Sequence, residues 1–101
     1  MVIRKKYWFG YRDKRFEDIE DCDEQYMILG CRNKTLSVVS FPRKFIEQHL
    51  GMLNTSVDSE TGEISRYHIV IFKNLDGKMT MLLSKPILRE IDISDYVVGE
   101  I

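Results

Sequence analysis

The chain reads as an α+β domain, a curved, mostly antiparallel sheet or open β-barrel with one short helix. Three observations predict this. Short apolar, partly β-branched runs recur between clusters of turn-forming residues, an Asp76-Gly77 pair sits between two of them, and only one segment, opened by Pro42, carries helical spacing. With 101 residues, 44% of them hydrophobic and 31% charged, the chain can bury one core and is too short for two ordinary domains, so residues 1–101 are expected to form a single domain. The ending Gly99-Glu100-Ile101 suits a domain cut from a longer polypeptide as well as a complete small protein.

The first element is an extended segment in which Tyr7, Phe9 and Tyr11 share one face by period-two alternation and are assigned to the core, leaving the Lys and Arg stems solvated. The runs 25–31 and 36–41, separated by Arg32-Asn33-Lys34-Thr35, read as a hairpin. Pro42 then pre-sets φ for a first helical turn, with Ser40 or Phe41 as the flanking cap residue. Phe45 and His49 are four apart, as are Ile46 and Leu50, and Leu53 extends the same apolar stripe. Gly51 is expected to take a left-handed conformation and end the helix after about two to three turns. From Asn54 to Ser65 polar residues predominate, and this is the longest expected loop. Runs 66–72 and 79–84 follow, joined through Asp76-Gly77 as a second hairpin. The first of them is apolar on both faces and so is expected to be central. Pro86 ends that hairpin, Ile87, Ile91 and Ile93 suggest another extended segment, and after a turn at Ser94-Asp95 the run Tyr96-Val97-Val98 closes the chain.

The formal net charge of −1 conceals a strong polarity. Arg4, Lys5, Lys6, Arg12, Lys14 and Arg15 crowd the first sixteen residues against a single Asp13, and the acids Glu17, Asp18, Glu20, Asp21, Asp23 and Glu24 follow without a base between them. Tyr7, Trp8, Phe9, Tyr11 and Phe16 are interleaved with the basic block, a mixture of cations and π-faces suited to phosphates and stacked bases. The acidic run reads as a solvated loop that pairs in part with the basic block. No apolar run approaches the roughly 20 residues of a membrane span, and the charged N-terminus is unlike a signal peptide, so a cytoplasmic protein is expected. Cys22 and Cys31 form no CxxC pair and are expected to be reduced thiols.

Catalysis finds little support. Asp76-Gly77-Lys78 has the carboxylate-x-lysine form that metal-dependent nucleases use, with Asp58, Glu60 and Glu63 upstream, but a hairpin turn explains the Asp-Gly pair better and leaves no rigid second carboxylate for Mg²⁺. Cys22, Cys31, His49 and His68 match no paired-ligand zinc spacing. Cys31 could in principle meet His68, yet it lies in an apolar strand, where thiols are usually inert. Met27, Met52, Met79 and Met81 are assigned to core filling. No catalytic residue, metal or cofactor is expected.

A strand leading into Phe41-Pro42-Arg43-Lys44-Phe45-Ile46 and His49-Leu50, then a variable loop, then Tyr67-His68-Ile69-Val70-Ile71-Phe72 and Asp76-Gly77-Lys78 before a further strand, resembles the DNA-binding pseudobarrel domains. That family includes the plant transcription-factor type and the effector modules of some restriction endonucleases, and the resemblance covers about half the chain. It implies an open barrel with no catalytic centre, whose concave sheet face straddles the major groove of double-stranded DNA. On that reading Arg43 and Lys44 meet phosphates at the helix start. Arg32 and Lys34, on the turn between adjacent strands, are added by charge alone. Arg4, Lys5, Lys6 and Trp8 form a competing contact surface, with Trp8 as a stacking platform.

The reading reached is a non-catalytic DNA-recognition module of a restriction or regulatory protein. The alternative is a protein-interaction or adaptor domain that binds a protein partner through the aromatic strand or a sheet edge.

Overall fold

The computed structural model describes residues 4–12, 26–32 and 35–101. Eight strands and one short helix follow the order β1 (Arg4–Tyr11), β2 (Tyr26–Arg32), β3 (Leu36–Pro42), α1 (Arg43–His49), β4 (Asn54–Val57), β5 (Ile64–Asn74), β6 (Met79–Leu83), β7 (Arg89–Asp92) and β8 (Val97–Glu100). Single 3₁₀ turns follow α1 at Leu50–Met52 and precede β8 at Ser94–Tyr96. All pairings are antiparallel, and the strands form a five-stranded and a three-stranded sheet that do not close into a barrel. The architecture is α+β, mostly antiparallel sheet with one short helix.

Strand β5 organises the larger sheet. β1 runs along one of its edges from Tyr67 to Asn74, and β4 and β6 must share the other, because each overlaps β1 in the β5 residues it pairs with. β7 then pairs with β6. In the smaller sheet β3 is central, flanked by β2 and β8. The pleat sends alternate residues to opposite faces, so Met27, Leu29 and Cys31 of β2 and Ser37, Val39 and Phe41 of β3 are buried while Tyr26, Ile28 and Arg32 are exposed.

One core lies between the two sheets. The larger contributes Tyr11, Ile69, Ile71, Met79, Met81 and Leu83, and the smaller Met27, Leu29, Cys31, Val39 and Phe41. Tyr7 and Phe9 pack against this cluster, as their alternation requires, and Met52 does the same, so the methionines fill core space. One polar tie crosses it. The Lys73 ammonium of β5 donates to Ser37 Oγ at 3.0 Å and pairs with Glu100 Oε1 at 2.6 Å, while Ser37 Oγ donates to the same carboxylate at 3.1 Å. Ser37 is fully buried, and these bonds satisfy its hydroxyl.

The helix departs from expectation at both ends. Pro42 itself is the N-cap, with φ −60° and ψ 146°, and no side chain caps the first turn. β3 runs straight into α1, so Ser40 and Phe41 are committed to the strand and neither serves as the cap. At the other end Gly51 has no positive φ. The last turn tightens instead into a 3₁₀ turn in which Leu53 N–H donates to the Leu50 carbonyl at 3.3 Å. Leu53 is buried, and its burial draws the chain onward in extended conformation.

The segment 54–65 is not one long loop. β4 pairs with the first half of β5, which leaves a short turn at 58–63. There Asp58 Oδ1 accepts from the Glu60 and Thr61 amides at 2.8 and 3.2 Å, and Gly62 takes φ 74°, open to glycine without strain. An exposed strand needs few apolar residues, which is why β4 looks like loop in the sequence. The hairpin at Asp76-Gly77 forms as read: Gly77 has φ 87° and Asp76 Oδ1 accepts from the Lys78 amide at 2.9 Å.

Phe45 and Ile46 anchor α1 against Phe41, whose ring stacks on Phe45 at 4.7 Å between centroids. Ile46→Ala should therefore cost about 2–4 kcal/mol through lost burial and a residual cavity, read from urea melts; a loss below about 0.5 kcal/mol would contradict the anchoring.

Hydrogen bonds from Lys73 and then Ser37 hold the Glu100 carboxyl below its ordinary value of 4.5. The unfolded chain thus takes up this proton first as pH falls, so the stabilisation is complete above about pH 4.5 and fades below it. Glu100→Gln should lower the urea midpoint at pH 7 and leave it unchanged at pH 3. Equal midpoints of both proteins at pH 7 would show that this exposed carboxylate adds nothing.

Candidate nucleic-acid interface

A basic residue can meet a phosphate only if its charge is exposed and not already spent on a neighbouring acid. The residues singled out by pattern divide sharply on that test. Arg43 Nε pairs with Glu47 Oε1 at 2.7 Å, one turn along α1, while Lys44 is exposed. Arg32 is exposed but sits at the opposite end of β2 from Tyr26, the residue that pairs with Pro42, so about 20 Å of strand separates it from the helix start. Lys34 lies outside the described residues, as do Lys14, Arg15 and the acidic run 17–24. The helix start and the β2–β3 turn are therefore two separate places.

The N-terminal block is divided by the pleat of β1. Lys5 lies opposite Lys73, on the side that faces the smaller sheet, whereas Arg4, Lys6, Trp8, Gly10 and Arg12 alternate onto the outer face of the larger sheet. On that face their cross-strand partners are Asn74, Phe72, Val70 and His68, with Arg66 next along β5. Here two cation–aromatic arrangements form, and they differ in one respect.

In the first, the Arg4 guanidinium stands 3.8 Å from the Phe72 ring centroid and pairs with Glu90 Oε1 at 2.6 Å. Thr80 Oγ1 donates to the same oxygen at 2.6 Å. The bonds from Arg4 and then Thr80 draw the Glu90 carboxyl below its usual range. Charge, ring and hydroxyl are all satisfied within the protein.

In the second, Trp8 is 48% exposed and its ring meets His68 edge-on, 5.4 Å between centroids at 75°. His68 Nε2 lies 2.7 Å from Ser56 Oγ of β4, which fixes the imidazole. The indole lies across Gly10, where a Cβ would come within 3.0 Å of Trp8 Cη2, so glycine makes room for the ring. Arg12 and Arg66 complete an open cleft of about 450 Å³ lined by Trp8, Gly10 and these two arginines. Three ion pairs form among the described residues, through Arg4, Arg43 and Lys73, and none of them involves Lys6, Arg12 or Arg66.

Trp8 and Lys6 were legible as candidates from the aromatic–basic interleaving. Arg66, His68 and Ser56 were not, because their approach to Trp8 depends on the register of β1 against β5 and β4, and no local pattern records it.

Among the described residues no metal-binding cluster forms, since no three His, Cys, Asp or Glu side chains converge. Cys31 faces the core from β2 while His68 lies on the outer face of the opposite sheet, so the sheet itself separates them. Burial pushes the Cys31 thiol up to about 11, with Lys73 pulling weakly the other way. No helix among the described residues is long and apolar enough to cross a membrane. No protein-family model, curated protein or solved structure matches the chain.

A buried, protonated thiol does not alkylate. In a Cys22→Ser background, iodoacetamide at pH 8 should label Cys31 only as fast as the chain unfolds, with the labelling rate rising in step with urea. Stoichiometric labelling of the native protein within minutes would contradict this burial.

Proposed function

We propose that the chain is a non-catalytic DNA-recognition module that meets nucleic acid through the outer face of its five-stranded sheet. The observation that carries this reading is the grouping of Lys6, Trp8, Arg12 and Arg66 on one face, with an exposed indole and three cations that no described acid neutralises. Cations beside a π-face suit a phosphodiester chain and its bases together, and the polymer's counterion release supplies the affinity. In this reading the two sheets are the walls of an open pseudobarrel, and the domain is the DNA-reading part of a restriction or regulatory protein. Arg43 contributes less than its place at the helix start suggests, because Glu47 already takes its charge. Lys44 and Arg32 remain as peripheral phosphate contacts.

A second reading is favoured by a different surface. The outer face of β2–β3–β8 exposes Ile28 at 69% and Val98 at 66%, apolar area that suits a protein partner.

A binding titration at several salt concentrations separates the two readings. Lys6→Ala/Arg12→Ala/Arg66→Ala should weaken binding of a labelled duplex and lower the slope of log K against log salt by roughly two to three units. Arg43→Ala/Lys44→Ala should lower it by no more than about one unit. The reverse ranking would return the contact to the helix start, and an absence of salt-dependent affinity for any nucleic acid would leave the protein-partner reading in its place.

A further inference from the structure

The outer face of the larger sheet carries two aromatic rings beside arginines, and their difference is informative. Phe72 is covered by Arg4, whose charge is spent on Glu90. Trp8 has no such cover, and both guanidinium groups beside it are without an acid partner among the described residues. We propose that the cleft bounded by Trp8, Gly10, Arg12 and Arg66 is a one-nucleotide subsite for single-stranded nucleic acid, which stacks an unpaired base on the indole and holds the adjoining phosphate between the two arginines. The proposal rests on the nucleic-acid reading above and adds to it the unpaired state of the strand and the residues that sense it.

Four features carry the argument. The indole is held in place before any ligand arrives, edge-on against His68, which is itself fixed at 2.7 Å from Ser56 Oγ, and lying on the bare Cα of Gly10. A preset platform loses little freedom on binding, which favours stacking. The cleft, about 450 Å³, falls in the size range of small-ligand sites, and it is open. A base that belongs to a longer strand can therefore enter and leave while the backbone passes outside. Its charged lining residues are Arg12 and Arg66, and no acidic side chain is among the described residues lining it, a composition that suits a phosphate. Finally, a base inside a duplex has both faces occupied by its neighbours, and only an unpaired base can offer one to Trp8.

Trp8 is the only tryptophan in the chain, so its fluorescence reports this cleft alone. A ten-nucleotide oligothymidylate should quench it saturably, and an abasic strand of the same length should bind more weakly and quench little. Trp8→Leu, followed by anisotropy of the labelled strand, should weaken oligothymidylate binding by roughly 5- to 100-fold, a larger loss than the same change causes for a duplex. Trp8→Phe, which keeps a ring, should recover most of the affinity. Arg12→Ala/Arg66→Ala should lower the single-strand salt slope by about 0.7 units, the value for one neutralised phosphate. If duplex binds tightly while the single strand is indifferent to Trp8→Leu, the subsite is wrong and the nucleic-acid reading stands. If no nucleic acid binds with salt dependence, both fail. Stronger quenching by a phosphotyrosine peptide than by the oligonucleotide would assign the cleft to a protein ligand and overturn the proposal.

Discussion

The pleat of β5 is the constraint on which both the core and the candidate site depend. Ile69 and Ile71 are fully buried because odd-numbered residues of this strand face the smaller sheet, and the same alternation turns Arg66 and His68 outward. A slip of one residue would bury an arginine and a histidine and expose two isoleucines, at a cost no local adjustment could offset. Since β1, β4 and β6 all take their register from β5, the meeting of Trp8, Ser56, His68 and Arg66 is fixed by hydrophobic burial on the other side of the sheet. Core packing positions the surface cluster without any direct contact between the two.

Three polar links work in different ways. The Lys73–Ser37–Glu100 group joins β5 to β3 and β8 where the apolar core thins out at its rim. It satisfies a buried hydroxyl, and the exposed carboxylate, partly screened by solvent, adds a smaller, pH-dependent share. Arg4, Thr80 and Glu90 knit β1 to β6 and β7 across the outer face and consume a cation that would otherwise add to its field. Arg43 and Glu47 do the same on α1. At the Trp8 end of the sheet, by contrast, Lys6, Arg12 and Arg66 take part in none of the ion pairs among the described residues.

How much was legible in the sequence follows from how far apart the partners lie. The β2–β3 and β5–β6 hairpins could be read because alternation and Asp76-Gly77 are local signals, and Pro42 marked the helix start for the same reason. β4 was hidden, since an exposed strand such as Asn54–Val57 has no apolar face to announce it. Gly51 misled because glycine permits a left-handed exit without compelling one, and burial of Leu53 selected the 3₁₀ exit. In the candidate site, Trp8 and Lys6 stood out within one strand. Arg66 needed a cross-strand register between segments more than fifty positions apart, which sequence periodicity does not encode. The spending of Arg43 on Glu47 was readable in principle, as an i,i+4 pair on a helix.

The closure of the smaller sheet bears on how the molecule can be handled. Leu36 and Ile101 exchange backbone hydrogen bonds, each at 2.8 Å, so residue 101 is pinned beside β3 in the three-stranded sheet. The Trp8 cleft opens on the far side of the five-stranded sheet, with the whole core between them. A biotin or surface tether attached at Ile101 would thus present the cleft outward, away from the support.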